Sequence, residues 1–292
     1  MVATSDHPAA GCNQMTDSFD DYCAQEVRNH DPDRWLTALF APDAKRPALL
    51  ALYAFNVEIA RARESVSQPM IGQIRLQWWR EAWDGIMLDQ PRKHPIVQAL
   101  HAHLRHLDVA DAHALIEARE RDMDPAPMAD LPALLTYAET TSTPLMRLAA
   151  AALGGDLTGD FRETTRLAGT AYALVGILRA TPHLVMQQRV LLPADLLRKA
   201  GIAPDALHQK DHGRAVTEVI AAIAAEAEQR LSALRGRRIG RNVLPALLPA
   251  SLARVHLRQL TRAEFDPESP AAVATPTRKH LALIGAWLRR RA

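Results

Sequence analysis

The chain has 292 residues, 48% of them hydrophobic and 5% aromatic, with 35 Lys and Arg against 33 Asp and Glu for a net charge of +2. That length suits one large domain or two small ones, and so even a charge balance excludes a field strong enough to gather nucleic acid. Two cysteines, Cys12 and Cys23, with no partner motif exclude a disulfide framework or zinc cluster and predict a reduced, cytoplasmic setting.

Residues 1–17 are small and polar and are expected to be disordered, with neither the order of a secretory signal nor the Arg-rich character of a transit peptide. Asp17 or Ser18 then caps a helix running to His30, which Asp31-Pro32 breaks. A short helix is predicted over 34–40 and a long one over 44–64. Ser67-Gln68-Pro69 separates the latter from a helix over 71–88. Pro91 and Pro95 open a helix to about His106, and another covers 109–121. After a loop at 125–130, helices over 131–137 and 144–153 are hinged at Thr140-Thr141-Ser142-Thr143. A long helix covers 160–183, a loop with one turn covers 204–216, and helices follow over 217–234, 243–261 and 277–291. No Val/Ile/Thr alternation marks a strand. No run of 18 apolar residues is present, so no spanning helix is expected. Abundant Ala and Leu with few aromatics favours helices throughout. The expectation is all-α: one helical domain over 18–292, with no repeat and no interdomain linker.

Two segments carry chemical information. Gly169 to Pro193 reads GTAYALVGILRATPHLVMQQRVLLP, and Arg46 to Trp79 reads RPALLALYAFNVEIARARESVSQPMIGQIRLQWW. The first resembles the squalene/phytoene synthase signature G-x-A-x-Q-L-T-N-I-L-R-D-x-x-x-D followed by R-x-Y-L-P. Gly169, Ala171, Leu174, Ile177, Leu178, Arg179, Arg189, Leu192 and Pro193 fit it. The second resembles the same superfamily's R-x-A-x-x-A-x-Y-A-F helix, which in those enzymes continues into D-D-x-x-D.

The resemblance implies an isoprenoid-synthase fold, with helices 44–64 and 160–183 facing each other across a central cavity. It also implies a chemistry whose parts this chain lacks. In the family, carboxylates one helical turn apart hold Mg²⁺ through oxygen ligands, and the metals hold the substrate diphosphate as it leaves. Here Ala180 and Leu184 stand at the aspartate positions of the second segment, and no Asp or Glu lies between Thr164 and Ala194. Ala60 and Arg61 stand at the first aspartates of the other, with Glu64 at the last. Glu58 is the remaining acidic candidate, but at six residues' separation the two point about 120° apart on a helix. A narrower resemblance fits these departures. AFNVEIARARESVS, IGQIRLQWWREA and GILRATPHLVMQQRVLLPADLL are similar to the branch of the mitochondrial NADH dehydrogenase (complex I) assembly factor, over about Tyr22 to Trp287.

The expected function is therefore binding or assembly in respiratory complex I, with no catalytic residue, no metal ligand and no cofactor. The alternative is an active head-to-head prenyltransferase using Mg²⁺, and a third possibility is a carrier of a prenyl lipid or diphosphate in the cavity. The candidate ligand-binding residues are Arg46, Tyr53, Glu58, Glu64, Trp78, Tyr137, Arg179 and Arg189. Tyr53 has packing as its simpler role, and Trp78 is as well explained by the surface as by a cavity. Arg179 and Arg189 have no acid near them in sequence. An unpaired buried guanidinium is costly, so at least one is expected to meet a carboxylate of the first segment, Glu58 or Glu64. His101, His103 and His106 fit a solvated helix better than a metal site. The C-terminal helix ends in Arg289-Arg290-Arg291, a basic amphipathic pattern that could rest on a membrane or pack on its own domain. A location peripheral to the inner membrane follows from the first possibility.

Overall fold

In a computed structural model, residues 9–64, 68–207 and 213–292 are described. Among them lie twelve α-helices and four single-turn 3-10 segments, with no strand. The helices are α1 (Ala9–His30), α2 (Pro32–Ala38), α3 (Arg46–Ala60), α4 (Pro69–Met87), α5 (Pro95–Leu104) and α6 (Ala110–Glu120) in the first half. They continue as α7 (Leu131–Ala152), α8 (Gly159–Met186), α9 (Ala194–Lys199), α10 (Gly213–Ala233), α11 (Leu244–Arg262) and α12 (Pro276–Arg289). Pro32, Pro69, Pro95 and Pro276 are first residues of their helices, where a missing N–H costs nothing and the fixed φ suits the first turn.

α8 runs through the centre, packed on α7, α10 and α11, while α3 packs on α1, α5 and α7. The α7–α8 approach is set by Gly169, where a Cβ would lie 3.0 Å from the Cα of Thr143 and 3.2 Å from its nitrogen. Beside α3, Phe55 sits edge-on to Trp79 at 5.3 Å and to Trp83 at 5.4 Å. All three side chains are buried.

Several boundaries differ from the sequence reading. α1 begins at Ala9, so the helix starts well before Asp17; residues 1–8 of the segment expected to be disordered lie outside the described residues. α3 stops at Ala60 rather than Glu64, because Arg61 leaves helical geometry (φ −94°, ψ 3°) while its N–H still reaches Val57. The hinge expected at 140–143 lies within one continuous helix. Pro144 removes the backbone donor that the Thr140 carbonyl would accept from, yet the helix runs on through it from Leu131 to Ala152; one turn earlier the Thr140 and Thr141 hydroxyls donate back to the carbonyls of Thr136 and Tyr137. α9, too short to show periodicity, went unread; its first two N–H groups reach the carbonyls of Met128 and Ala129. α10 begins at Gly213, four residues before Thr217.

Candidate functional site

Two buried carboxylates organise the polar interior, and neither was among the candidates read from the sequence. The first is Asp33, in the first turn of α2. Asp31 caps that helix, accepting from the Arg34 N–H at 3.1 Å. The cap fixes the turn so that Asp33 points inward, where it is 4% exposed. Its Oδ1 accepts from Lys279 Nζ of α12 at 2.7 Å. Its Oδ2 accepts from His256 Nε2 of α11 at 2.7 Å and from Arg179 of α8 at 3.1 Å.

Burial alone would raise the Asp33 pKa. The hydrogen bond of His256, joined by its charge once acid protonates the imidazole, the bond from Lys279 and the charge of Arg179 outweigh it and hold the carboxyl well below the usual range. Burial pushes the His256 imidazole below its ordinary value, and the bond to Asp33 opposes this without overcoming it. The consistent state is an aspartate anion accepting from a neutral imidazole whose proton is on Nε2. His256 Nδ1 is then a bare acceptor, buried without a hydrogen-bond partner among the described residues.

Beside this cluster, Arg34 donates to Asp31 at 2.7 Å and lays its guanidinium 4.6 Å from the ring centre of Tyr172 on α8 and 5.8 Å from that of Tyr53 on α3. At this level the space between α3 and α8 is taken by a cation sandwiched between two phenols. Burial raises the pKa of both tyrosines far above the ordinary value, so both are neutral faces for the guanidinium.

The second carboxylate is Asp122, 6% exposed, in the 3-10 turn after α6. Tyr137 of α7 donates to it at 2.6 Å, and Arg119 and Arg189 each approach it at 3.4 Å. Arg189 also lies 3.8 Å from Glu64. Glu64, Tyr137 and Arg189, separated in sequence, thus meet around Asp122. One arginine does reach an acid of the first signature segment. Arg179 does not; its partner is Asp33.

The other candidates are dispersed. Arg46 donates to the carbonyls of Leu39 and Ala41 and pairs with Asp43, which closes the turn into α3. Glu58 is paired with Arg75 of α4. Of the adjacent pair, Trp79 is buried in the core, whereas Trp78 is half-buried under Arg92, with His94 edge-on at 5.4 Å. His101 pairs with Asp89 and His103 with Asp20, on different elements. The signal that could have found Asp33 is its spacing: it lies four residues before Thr37, on the face that Thr37 and Ala38 bury.

This donor set does not fit a Mg²⁺–diphosphate site. Ala60, Ala180 and Leu184 offer no ligand oxygen, and the acids nearest in sequence are engaged, Glu64 by Arg189 and Glu58 by Arg75. Among the described residues, no three His, Cys, Asp or Glu side chains converge so as to hold a metal ion.

The comparisons with known proteins agree with this architecture. A profile of the squalene/phytoene synthase family matches residues 27–279. A bovine (Bos taurus) protein named NADH dehydrogenase (ubiquinone) complex I, assembly factor 6, is 30% identical over 99% of this chain and 88% of its own length. The Homo sapiens protein of the same name is 30% identical over 86% of this chain and 77% of its own. Among solved structures, a dehydrosqualene synthase superposes with a TM-score of 0.74 at 15% identity, covering 93% of this chain and 96% of that one. The squalene synthase HpnC from Alicyclobacillus acidocaldarius gives 0.69 at 19% identity, over 86% and 96%. At those identities the structural likeness speaks for the fold.

Proposed function

We propose, for a chain that belongs to the squalene/phytoene synthase family, a metal-free role in the assembly of a respiratory NADH dehydrogenase in place of prenyl transfer. One observation carries the loss of catalysis. The cations that would meet a substrate diphosphate are already matched by the protein's own carboxylates, Arg179 by Asp33 and Arg189 by Asp122 and Glu64. Prenyl diphosphate ionisation needs charge stabilisation that grows as the leaving group departs. Arginines already neutralised in the resting protein, with no metal ligands beside them, supply little of it. What remains is a scaffold cross-linked by ion pairs, suited to holding a fixed outer surface toward a partner. The assembly role itself is supported by the names of the relatives. The working location is the aqueous compartment bordering the membrane that holds the complex; among the described residues no helix is long and apolar enough to cross that membrane.

Two measurements test the reading. Purified protein incubated with farnesyl or geranylgeranyl diphosphate, Mg²⁺ and NADPH should give no product above a heat-killed control, and robust turnover would overturn the loss of catalysis. Deleting the gene should remove fully assembled NADH dehydrogenase from native gels of the membranes. A normal level of the complex in the deletion strain would overturn the assembly role.

A further inference from the structure

α12 has two apolar faces. Leu283 and Ala286 are buried, and Trp287 packs on Phe40 with ring centres 5.7 Å apart. On the other side Leu281, Ile284 and Leu288, spaced by three and four residues, are 65%, 48% and 68% exposed. Scattered exposed aliphatics are ordinary, but three in register along one helix form a stripe. The bond from Lys279 to Asp33 fixes the rotation of α12 about its axis, so the buried cluster itself directs the stripe outward.

At the end of this stripe lies an open cavity of about 580 Å³, lined by Arg238, Ile239, Leu288, Arg289, Arg290 and Arg291. Residues 276–292 contain no acid. The Ile239 N–H donates to the Arg290 carbonyl at 3.0 Å and ties the cavity's two walls together. Gly285 leaves room for the Arg289 guanidinium to lie along the helix, since a Cβ there would come within 2.9 Å of it.

We propose that this end of the molecule binds the surface of an anionic phospholipid bilayer. Lipid phosphates enter the arginine cavity, and Leu281, Ile284 and Leu288 sink among the uppermost acyl carbons. The planar guanidinium fork matches phosphate oxygens. A basic helix with one aliphatic face lies in the plane of a membrane interface, and clustered arginines are drawn to an anionic leaflet within a Debye length of its surface. The uniform sign of the patch favours such a laterally uniform surface over a protein face of mixed charge. This inference stands whether or not the assembly role holds.

The test floats the full purified chain with vesicles of phosphatidylcholine alone or of phosphatidylcholine with phosphatidylglycerol. Binding should require the anionic lipid and weaken as salt is raised. The exposed-stripe variant Leu281→Gln/Ile284→Gln/Leu288→Gln should bind at least about tenfold more weakly and the cavity variant Arg238→Gln/Arg289→Gln/Arg291→Gln roughly a hundredfold more weakly, with melting temperatures near wild type. The lipid and salt dependence of the wild type needs no variant, so a poorly folded mutant leaves the test intact. Absence of binding, equal binding to both vesicle types, or binding untouched by either variant would overturn the proposal. So would a wild-type dimer in light scattering that the stripe variant dissolves, because the stripe would then belong to a second copy.

Discussion

Replacing Asp33 by Asn keeps the side chain's size and one acceptor oxygen but removes the charge that three partners share. The cost is unequal among them. Arg179 has 41% of its side chain in solvent and can recover hydration, so its share is small. Lys279, 16% exposed, and His256, 2% exposed, cannot. Removing one partner of a buried ion pair costs 3–5 kcal/mol in measured cases, and the retained amide oxygen offsets part of it. The expected loss is about 3 kcal/mol, a large part of a typical 5–15 kcal/mol. For a chain of this size that lowers the melting temperature by roughly 6 °C. Chemical denaturation of Asp33→Asn, Lys279→Met and the double variant is the assay. The double variant removes both charges, so its loss should fall short of the sum of the singles by about 1.5 kcal/mol or more. The pH dependence has a definite sign. The folded Asp33 pKa lies below the unfolded value, so its contribution is present above about pH 4 and fades on further acidification. The folded His256 pKa is also lowered. Below about pH 6.5 the unfolded chain takes up a proton that the folded one refuses, and stability falls. The wild type should therefore lose stability from pH 7 to 5 and again below 4, and the Asn variant should show a shallower second limb, the remainder coming from other carboxyls held below their ordinary value such as Glu81, Asp89 and Glu163. An unchanged melt for Asp33→Asn, or strictly additive singles, would refute the buried-cluster argument.

Arg179→Ala should cost no more than about 1 kcal/mol, because the arginine is partly solvated and Asp33 keeps two other donors; a loss near that of Asp33→Asn in the same melts would contradict this. Gly169→Val should destabilise by about 2 kcal/mol, since its side chain meets the backbone of Thr143 rather than a movable group. Thermal melts check it, and a variant as stable as wild type would mean that α7 and α8 can separate without loss.

The helices were legible because Ala/Leu periodicity, prolines at helix starts and the two signature segments all point the same way. Their ends were less so: nothing in the Arg61-Ala62-Arg63-Glu64 run marks the exit from α3 at Ala60. The meeting of Glu64 with Arg189 was partly legible, since both lie in the signature segments, at ends the resemblance brings together; that Tyr137 of α7 and Asp122 join them was not. The Asp33 cluster was hidden. Asp33 is 146 residues from Arg179, 223 from His256 and 246 from Lys279. A local reading of Asp-Pro-Asp therefore sees only a helix start, where an acid in the first turn is explained by the helix dipole. Similarly, Arg34 reads as a surface residue until the fold places Tyr53 and Tyr172 on either side of it.

The same separations set a timetable for biosynthesis. At roughly 5–20 residues per second, the 246 positions between Asp33 and Lys279 take roughly 12–50 s to leave the ribosome. Arg179 is made after 146 of those positions, but His256 only after 223 and Lys279 last, so for most of the interval the N-terminal helices hold an aspartate that lacks its two buried partners, and α2 has little reason to bury it. α2 should therefore stay exposed to solvent and to chaperones until α11 and α12 arrive. Settling of the first helices waits on the last, and commitment to the native topology comes close to chain release rather than progressively along the nascent chain.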